Sequence, residues 1–461
     1  MTPGEALAGL WQRAGLPASS LAQAELAGSE PVLPSSFAVG LAAQASLAAA
    51  ALAAGEVAQA RGAAPQRIGV DMRHAAYECL NWFSVDGVVP PQWDPFSGLY
   101  RCSDGWVRVH ANFAHHRDGA LRLLGLSPGT AERADAERVL AGWRALDFEQ
   151  AAADAGLVVA ALRSFEQWDA TAAGQAIAAQ PVFTIERIGE APPRALPPLS
   201  ADQRPLASVR VLDLTRILAG PIGGRALAAY GADVMLVNSP NLPNIDAIAA
   251  TSRGKLSTHA DLRTAEGQAA LRGLLGDAHV FVQGYRPGGL AGLGWDPATV
   301  AAQRPGIVCV SLSAYGTQGP WSTRRGFDSL VQTATGFNHA EGQAAGSEAP
   351  RALPMQILDV GSGYLMALGA SAALARQQRE GGSWLVQVSL AQTAHWLRGL
   401  GRVADGFSVA KPELKPFLES EESGFGRLVA MRHAARFSRT PAAWTRPSMP
   451  PGSHPPAWPA G

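Results

Sequence analysis

The stretch Val209-Arg-Val-Leu-Asp-Leu-Thr-Arg-Ile-Leu-Ala-Gly-Pro, which ends at residue 221, contains the pattern that decides the fold. Its first six residues form a short apolar run, and residues 223–230, after the Gly-Pro turn, are typical of a helix. A second apolar run, 232–237, begins directly after Gly231. The alternation continues with a helical stretch at 264–275 and strand-like runs at 279–282 and 306–312. Short apolar strands that alternate with helices predict an α/β fold with a doubly wound, mainly parallel sheet, whose ligands lie at the carboxyl ends of the strands.

The composition is that of a large globular chain. Of its 461 residues, 47% are apolar and 16% are charged, which is enough to bury a sizeable core. Lys plus Arg and Asp plus Glu both number 38, so we expect neither nucleic acid nor a membrane as a partner, although a local basic pocket for one phosphorylated ligand stays open. The first residues show no signal-peptide pattern, and the Ala-rich run 37–54 indicates a buried helix rather than a membrane span. We therefore expect a cytoplasmic protein.

Three regions differ in pattern along the chain. Residues 1–200 are mainly helical, with a β-hairpin predicted around the turn Ser103-Asp-Gly. A proline-rich linker at 191–199 separates them from residues 205–400, which carry the alternation of strands and helices. Residues 401–461 form a C-terminal segment, and from residue 440 onward its many prolines predict an extended or disordered tail.

A weak internal repeat connects the first two regions. Phe37-Ala-Val-Gly and Leu358-Asp-Val-Gly each begin an Ala-rich helix, and in both cases a break and then a strand follow. Ala38 stands in the first copy where Asp359 stands in the second. Chance similarity between two Ala-rich segments is the alternative explanation.

No short motif decides the function, because the sequence has no Gly-x-Gly-x-x-Gly helix opening, no Walker A loop and no Gly-x-Ser-x-Gly. A set of longer segments is more informative: Val211-Leu-Asp-Leu-Thr-Arg-Ile-Leu-Ala-Gly-Pro, Tyr230-Gly-Ala-Asp-Val, Arg253-Gly-Lys, Asp261-Leu-Arg-Thr-Ala-Glu-Gly, Tyr285-Arg-Pro-Gly, Tyr315-Gly-Thr-Gln-Gly-Pro, Gly326-Phe-Asp-Ser-Leu-Val-Gln, Leu358-Asp-Val-Gly-Ser-Gly and Val386-Gln-Val-Ser-Leu. In this order and spacing, the region from about 208 to 395 resembles the family III CoA-transferases, the CaiB/BaiF family that includes formyl-CoA transferase.

The first 200 residues resemble the remaining part of the same family. Tyr100-Arg-Cys-Ser-Asp-Gly-Trp is similar to the entry strand of the family's small domain, and the segment that begins at Ala155 is similar to the passage after it. The family's C-terminal part therefore precedes its CoA-binding part. The resemblance implies a Rossmann-like CoA-binding domain at 205–400 and a smaller α+β domain within 1–200. It also implies a homodimer, whose chains interlock in the family, with a monomer containing an internal pseudo-dimer as the alternative.

The chemistry implied by the resemblance is acyl-CoA:carboxylate CoA transfer through a covalent aspartyl anhydride and thioester. Asp359 is the candidate nucleophile, and the backbone N–H groups near Gly361 and Gly363 would stabilise the oxyanion of each tetrahedral intermediate. The alternative for Asp359 is an ordinary helix N-cap. CoA enters as a substrate thioester, so no cofactor is expected. The spacing of Cys and His predicts no metal site, and the pair His115-His116 is interpreted as surface or packing residues.

Nine residues are candidates for CoA binding by the same resemblance: Arg216, Ile217, Leu218, Ala219, Lys255, Tyr285, Arg286, Gly288 and Arg325. Arginine suits this role because its forked donors match phosphate oxygens, but each basic side chain taken alone could equally be a solvated surface charge. The sequence departs from the family at Asn238, where Glu is usual, and at Gln283-Gly, where Glu-Asn is usual. These departures predict altered CoA contacts.

Two other functions stay open. An acyl-CoA racemase of the same superfamily would need a base near Gly326-Phe-Asp, where Phe327 cannot move a proton and His339 is out of register. A non-catalytic acyl-CoA binder or partner subunit is the second alternative. Ala38 and the altered contacts favour it, whereas the retained Asp359 opposes it. The acids themselves, donor and acceptor, are not indicated by the sequence.

Overall fold

A computed structural model describes residues 1–459 of the chain. Within that range the strands are β1 (Ala24–Ala27), β2 (Ile68–Asp71), β3 (Phe83–Val85), β4 (Gly98–Arg101), β5 (Trp106–Val109), β6 (Val159–Ala161), β7 (Phe183–Gly189), β8 (Arg210–Leu214), β9 (Asp233–Asn238), β10 (Lys255–His259), β11 (Val280–Gln283), β12 (Val308–Ser313), β13 (Ser383–Ser389), β14 (Leu418–Ser423), β15 (Gly426–Met431) and β16 (Ala435–Phe437). The helices are α1 (Pro3–Ala14), α2 (Val39–Ala60), α3 (Met72–Cys79), α4 (Ala114–Leu123), α5 (Arg133–Leu140), α6 (Ala145–Asp154), α7 (Phe165–Asp169), α8 (Ala172–Ala178), α9 (Ala219–Ala229), α10 (Ile248–Thr251), α11 (Ala265–Asp277), α12 (Pro297–Gln303), α13 (Asp328–Ala334), α14 (Phe337–Ala344), α15 (Ile357–Glu380) and α16 (Leu390–Gly399).

The largest sheet has seven strands in the order β10-β9-β8-β11-β12-β13-β7. All neighbouring pairs are parallel except β13 and β7, so the sheet has one antiparallel edge. Helices α9 and α15 pack on one face, and α11 and α12 pack on the other. Because both faces are covered, the strands are apolar on both sides. The predicted doubly wound α/β fold is confirmed.

The order of the strands reverses between β8 and β11. At such a reversal the connections leave in opposite directions, and a crevice opens at the carboxyl ends of the two strands. The chain leaves β8 at Thr215 and leaves β11 at Gly284. Arg216 and Tyr285 therefore lie at the rim of this crevice.

A second, smaller unit is α+β, as expected. Its antiparallel sheet has the order β4-β5-β6, and α4, α5 and α6 contribute to the separate apolar core beneath it. The predicted hairpin is confirmed, since β4 pairs with β5 from Gly98 opposite Val109 to Arg101 opposite Trp106. Helix α13, from the second half of the sequence, packs against β5 and β6. The small unit is thereby held against the carboxyl edge of the large sheet.

Two long helices, α2 and α15, pack along each other in the centre of the protein. Both are long and apolar enough to cross a membrane, but 94% of the most apolar window of each is buried in the fold. Their many Ala residues leave almost no polar face, which is typical of a helix that lies in a core. The Ala-rich run at 37–54 is thus a buried helix, as predicted.

The internal repeat is visible in the topology. Strand β1 runs parallel to β2 with α2 between them in sequence, and β12 runs parallel to β13 with α15 between them. An antiparallel strand closes the outer edge of each pair: β16 beside β2, and β7 beside β13. We call β7 and β16 the exchanged strands, because each comes from the half of the chain that does not contain the pair it closes.

The predicted domain boundaries at 200 and 400 do not separate structural units. Strand β7 precedes residue 200 but completes the seven-stranded sheet. Strands β14, β15 and β16 follow residue 400, but β15 pairs with β14 and with β3, and β16 pairs with β2. The boundaries failed because proline and glycine content marks breaks along the chain, whereas strand pairing joins segments that are distant in sequence.

The predicted disordered tail is also corrected by the structure, as far as residue 459. The tail is extended, but it packs across the large sheet and its helices. The Trp444 indole donates to the carbonyl of Arg225 at 3.0 Å, and Arg446 pairs with Asp233 at 2.6 Å. The Trp458 indole donates to the carbonyl of Leu274 at 2.9 Å. Proline sets the extended backbone, while the tryptophans supply the contact area that holds it in place.

Candidate active site

Two cavities open where the small unit faces the carboxyl edge of the large sheet. We call the first the basic groove; its volume is about 400 Å³. We call the second the inner chamber; its volume is about 740 Å³. The two cavities share four lining residues: Ile217, Leu218, Phe327 and Asp359. Of these four side chains, only that of Asp359 can ionise.

Asp359 is the third residue of α15 and is half-buried. The residue at the N-cap is Gln356, whose side chain makes no capping hydrogen bond, so the N-cap alternative for Asp359 is wrong. Burial raises the pKa of Asp359 well above the usual range, and the negative charge of Asp328 raises it further. A carboxylate with a raised pKa is a stronger base, and when ionised it is a better nucleophile.

Asp328 lies next to Asp359 at the start of α13 and is 1% exposed. Its Oδ2 accepts the backbone N–H of Asp359 at 2.8 Å, and its Oδ1 accepts from Gln332 at 2.5 Å. Burial raises the pKa of Asp328 to about 7, although these hydrogen bonds oppose the shift. Its carboxylate thus occupies the positive end of α15. No role was predicted for Asp328 from the sequence; the available signal was an acidic residue at the first position of a helix.

The basic groove concentrates cations from three loops. Arg216 follows β8, Arg286 follows β11, and Arg325 precedes α13. Arg216 donates to the carbonyl of Pro243, and its guanidinium lies 6.0 Å from the centre of the Phe113 ring. Burial lowers the pKa of Arg325, and the positive charge of Arg286 lowers it further. Such a cluster attracts a polyanion.

Ile217 has a strained backbone at the wall between the two cavities. Its φ is +76°, in the left-handed region that β-branched residues rarely adopt. Strain of this kind costs on the order of 1–3 kcal/mol and persists where the surrounding structure fixes it, often at functional sites. The turn after β8 therefore holds Arg216, Ile217 and Leu218 in one defined arrangement.

Two histidines of the small unit complete the groove. His115 and His116 lie in the first turn of α4, and both line the groove. Burial lowers the pKa of His116 to about 4, with further contributions from His115 and Arg325, so the imidazole is neutral near pH 7. From the sequence, this pair was interpreted as surface or packing residues; the available signal was two adjacent histidines at the start of an amphipathic helix. No group of three or more His, Cys, Asp or Glu side chains between residues 1 and 459 is placed to hold a metal ion.

Seven of the nine predicted CoA-binding residues line the groove, and two do not: Lys255 and Gly288. The Lys255 side chain is fully buried, and its Nζ donates to Asp213 at 2.9 Å and to the carbonyl of Pro221 at 2.8 Å. Lys255 therefore ties β10 to β8 and is not available to a phosphate. Gly288 has a φ of +83° and serves the turn after Pro287.

The predicted active-site glycines lie away from both cavities, and close packing requires a glycine at only one of them, Gly363. Gly361 and Gly363 lie inside α15 and line neither cavity. The backbone N–H of Val360 donates to the carbonyl of Gln356 at 3.0 Å, which is the first hydrogen bond within α15. From Val360 onward the backbone N–H groups are therefore engaged inside the helix and are not free to bind an oxyanion. A Cβ at Gly363 would lie 2.6 Å from the carbonyl oxygen of Ala219. The glycine is needed because α9 and α15 approach each other closely there.

Comparison with known proteins matches part of the chain to a family. Residues 206–405 match the family model of CoA-transferase family III. An acyl-CoA transferase of Gibberella moniliformis is 29% identical over 366 residues, which is 70% of this chain and 64% of that protein. The "Probable fatty acyl-CoA transferase Rv3272" of Mycobacterium tuberculosis is 32% identical over 211 residues, 43% of this chain and 53% of that protein. A crystal structure of Rv3272 has 30% identity and a TM-score of 0.40, and the match covers 43% of this chain and 58% of that chain.

The chain thus spans about half to two thirds of the length of these relatives. The fold and the site define a doubly wound α/β protein with an aspartate between two cavities. Residues 206–405 are similar to CoA-transferase family III, the CaiB/BaiF family. The family predicted from the sequence segments is confirmed.

Proposed function

We propose that this chain is an acyl-CoA:carboxylate CoA-transferase in which Asp359 is the covalent nucleophile. The observation that carries the proposal is the position of Asp359 on the shared wall of the basic groove and the inner chamber. A transferase must bring a CoA thiol and a carboxylic acid to the same carboxylate, and two cavities that meet at one carboxylate suit that task. The family of residues 206–405 supports CoA transfer as the reaction class.

The chemistry of the groove fits CoA. CoA carries a pyrophosphate and a 3′-phosphate, and Arg216, Arg286 and Arg325 offer forked donors for such groups. The apolar side chains of Leu218 and Ala219 continue the groove towards Asp359 and suit the pantetheine arm. We expect the thiol end of CoA to reach Asp359 from this side.

In the first half-reaction, a carboxylate oxygen of Asp359 attacks the carbonyl carbon of the donor acyl-CoA. The C–S bond breaks, CoA thiolate leaves, and a mixed anhydride of Asp359 and the acyl group remains. The thiolate then attacks the Asp359 carbonyl carbon of the anhydride. The donor acid leaves as a carboxylate, and Asp359 is left as a thioester of CoA.

In the second half-reaction, the carboxylate of the acceptor acid attacks the Asp359 thioester and releases CoA thiolate. The thiolate attacks the acceptor carbonyl of the new anhydride, which gives the product acyl-CoA and restores the Asp359 carboxylate. No water is consumed and no net proton is transferred. Asp328 would act as a positioning residue, since it accepts the backbone N–H of Asp359 and fixes the first turn of α15.

The racemase alternative finds little support in this geometry. Phe327 occupies the position where a base was sought, and its ring stacks on His110 with 3.9 Å between centroids and 7° between planes. Burial lowers the pKa of His110 to about 3, which makes its imidazole a weak base. His339 lies on α14 and lines neither cavity.

Intact-protein mass spectrometry tests the proposal directly. The chain is incubated with acetyl-, succinyl-, hexanoyl- and benzoyl-CoA, and the product is then treated with hydroxylamine. We expect an added mass equal to CoA less water, which hydroxylamine removes and which maps to Asp359. The variant Asp359→Ala should form no adduct but keep its affinity for CoA in calorimetry, and Asp147→Asn, on the exposed face of α6, should behave as the wild type.

The outcomes separate the remaining functions. An adduct on another residue would contradict Asp359 as the nucleophile. CoA binding without any adduct, together with exchange of the α-proton of the acyl group into deuterated solvent, would indicate a racemase. CoA binding with neither adduct nor exchange would indicate a non-catalytic binder.

A further inference from the structure

A cationic side chain with an unpartnered nitrogen lines the inner chamber. Arg108 lies on β5 and is 7% exposed. It is the one Lys or Arg among the residues that line the chamber in the described part of the chain. Its Nε is buried and makes no hydrogen bond to any residue from 1 to 459. A buried guanidinium without a partner is costly, so such a group usually has a ligand or a functional reason.

The surroundings of Arg108 do not supply a full counter-charge. Its guanidinium lies 5.1 Å from the ring centre of Trp93, a cation–π contact. Asp328 is the charged group that acts on it, but that carboxyl already accepts hydrogen bonds from Asp359 and Gln332 and is only partly ionised near pH 7. His110 beside it is neutral at that pH, because burial lowers its pKa to about 3.

The rest of the chamber wall carries apolar, neutral polar and acidic side chains, and Asp94 and Asp246 are among the acidic ones. It includes Phe83, Phe327, Leu353 and Met355, and its mouth lies near Val89, which is 50% exposed. A volume of about 740 Å³ holds an acid with a chain of several carbons. Because Arg108 is the one cation in this wall among the described residues, a second carboxylate on the acid would find its counter-charge there.

The location of Arg108 decides which end of the acid it would meet. The reacting carboxylate must lie at the junction of the two cavities, because the CoA thiol comes to Asp359 from the basic groove. Asp359 lines both cavities, whereas Arg108 lines the inner chamber and not the groove. Arg108 is therefore placed for a group that lies in the inner chamber rather than in the groove.

We propose that the inner chamber binds dicarboxylic acids and that Arg108 binds the carboxylate that does not react. The proposal rests on the proposed CoA-transferase function and adds the class of acid to it. A planar guanidinium can take a carboxylate through two parallel hydrogen bonds, which would satisfy the Nε that is now unpartnered. A monocarboxylic acid of the same length would leave that nitrogen buried and unpaired.

The experiment compares matched pairs of acceptor acids: dicarboxylates and monocarboxylates of equal chain length, from about four to about eight carbons. The variants are Arg108→Met, Arg108→Lys and the control Arg101→Met, which changes an exposed arginine of the same small sheet that stacks on Trp106 at 5.5 Å. We expect kcat/KM of the wild type to favour the dicarboxylate. Arg108→Met should lower kcat/KM for dicarboxylates by about 10- to 100-fold, mainly through KM, and leave monocarboxylates unchanged. Arg108→Lys should restore part of the loss.

Two further measurements keep the result interpretable. Calorimetry of glutarate and pentanoate with the wild type and Arg108→Met measures acid binding without turnover, so it still reports on Arg108 if no CoA adduct forms. Thermal unfolding without acid should show Arg108→Met to be at least as stable as the wild type, since an unpaired buried charge is removed. Parallel losses for both acid series, equal glutarate binding by the two proteins, or a clear loss of stability would each overturn the proposal.

Discussion

Replacing Asp328 by asparagine should raise the free energy of unfolding at pH 8 and leave it nearly unchanged at pH 4. Burial raises the pKa of this carboxyl from 3.8 to about 7, so ionising it costs more in the folded protein than in the unfolded chain. At pH values between these two pKa values, Asp328 is protonated in the folded state and ionised in the unfolded state, so the folded state holds one proton more. The contribution of Asp328 to stability is therefore full below pH 3.8 and is lost as the pH rises through 7.

The size of the effect follows from the difference between the two pKa values. The difference is about 3 units, and each unit corresponds to about 1.4 kcal/mol, so the wild type loses about 4 kcal/mol between pH 4 and pH 8 at this residue. Asparagine keeps an oxygen that accepts the backbone N–H of Asp359 but cannot ionise. The difference in the free energy of unfolding between the variant and the wild type, called the gap below, should therefore be small at pH 4. It should widen by about 1.4 kcal/mol per pH unit until about pH 7.

Urea unfolding followed by circular dichroism, at several pH values from about 4.5 to about 8.5, measures this gap. Asp147→Asn is the matched control, because that side chain is 60% exposed on α6. A gap of constant size, or one that narrows as the pH rises, would refute burial as the cause. The same widening in Asp147→Asn would show that the effect belongs to net charge rather than to the buried pair.

Three further changes test other parts of the site. Lys255→Met should lower the free energy of unfolding by about 3–5 kcal/mol in urea titrations, because Asp213 is left buried without its cation, and the affinity of the folded variant for CoA should not change in calorimetry. Gly363→Ala should cost about 1–3 kcal/mol, because its Cβ meets a backbone oxygen, whereas Gly361→Ala, with only a methyl group at 3.5 Å, should be neutral or stabilise by up to about 1 kcal/mol. Arg286→Ala should weaken CoA binding about tenfold and reduce its salt dependence, and the binding of pantetheine, which lacks the phosphates, should stay the same.

Much of the fold could be predicted because its signals are local. The apolar runs and the helices between them specify a parallel sheet, and the position of Arg216 and Tyr285 after two of these strands places them at its carboxyl edge. The hairpin followed from one Asp-Gly turn. Asp359 was predicted as the nucleophile because the segment that contains it resembles a segment of the family. In the structure it lies between the two cavities.

The remaining site residues depend on contacts between distant segments. His116 and Arg325 act on each other although about 200 positions separate them, and nothing near His116 in the sequence indicates that neighbour. Arg108 looks like any arginine on an alternating strand. Lys255 was predicted to bind phosphate because the sequence around it does not distinguish a lysine in a ligand-binding loop from one in a buried ion pair. Its partner in the ion pair, Asp213, lies in another strand. Burial and pairing, rather than residue type, separate these roles.

The exchanged strands have a consequence for how the chain is made. The outer edge of β2 is closed by β16, which leaves the ribosome roughly 360 residues later, or on the order of 20 to 70 s at ordinary rates of translation. During that interval the edge of β2 presents unpaired backbone groups to other nascent chains, which is a known route to aggregation. The first half can complete its own sheet only after the second half has been synthesised. Conversely, cutting the folded chain in the linker at 191–199 would leave two fragments that each hold a strand of the other and stay together.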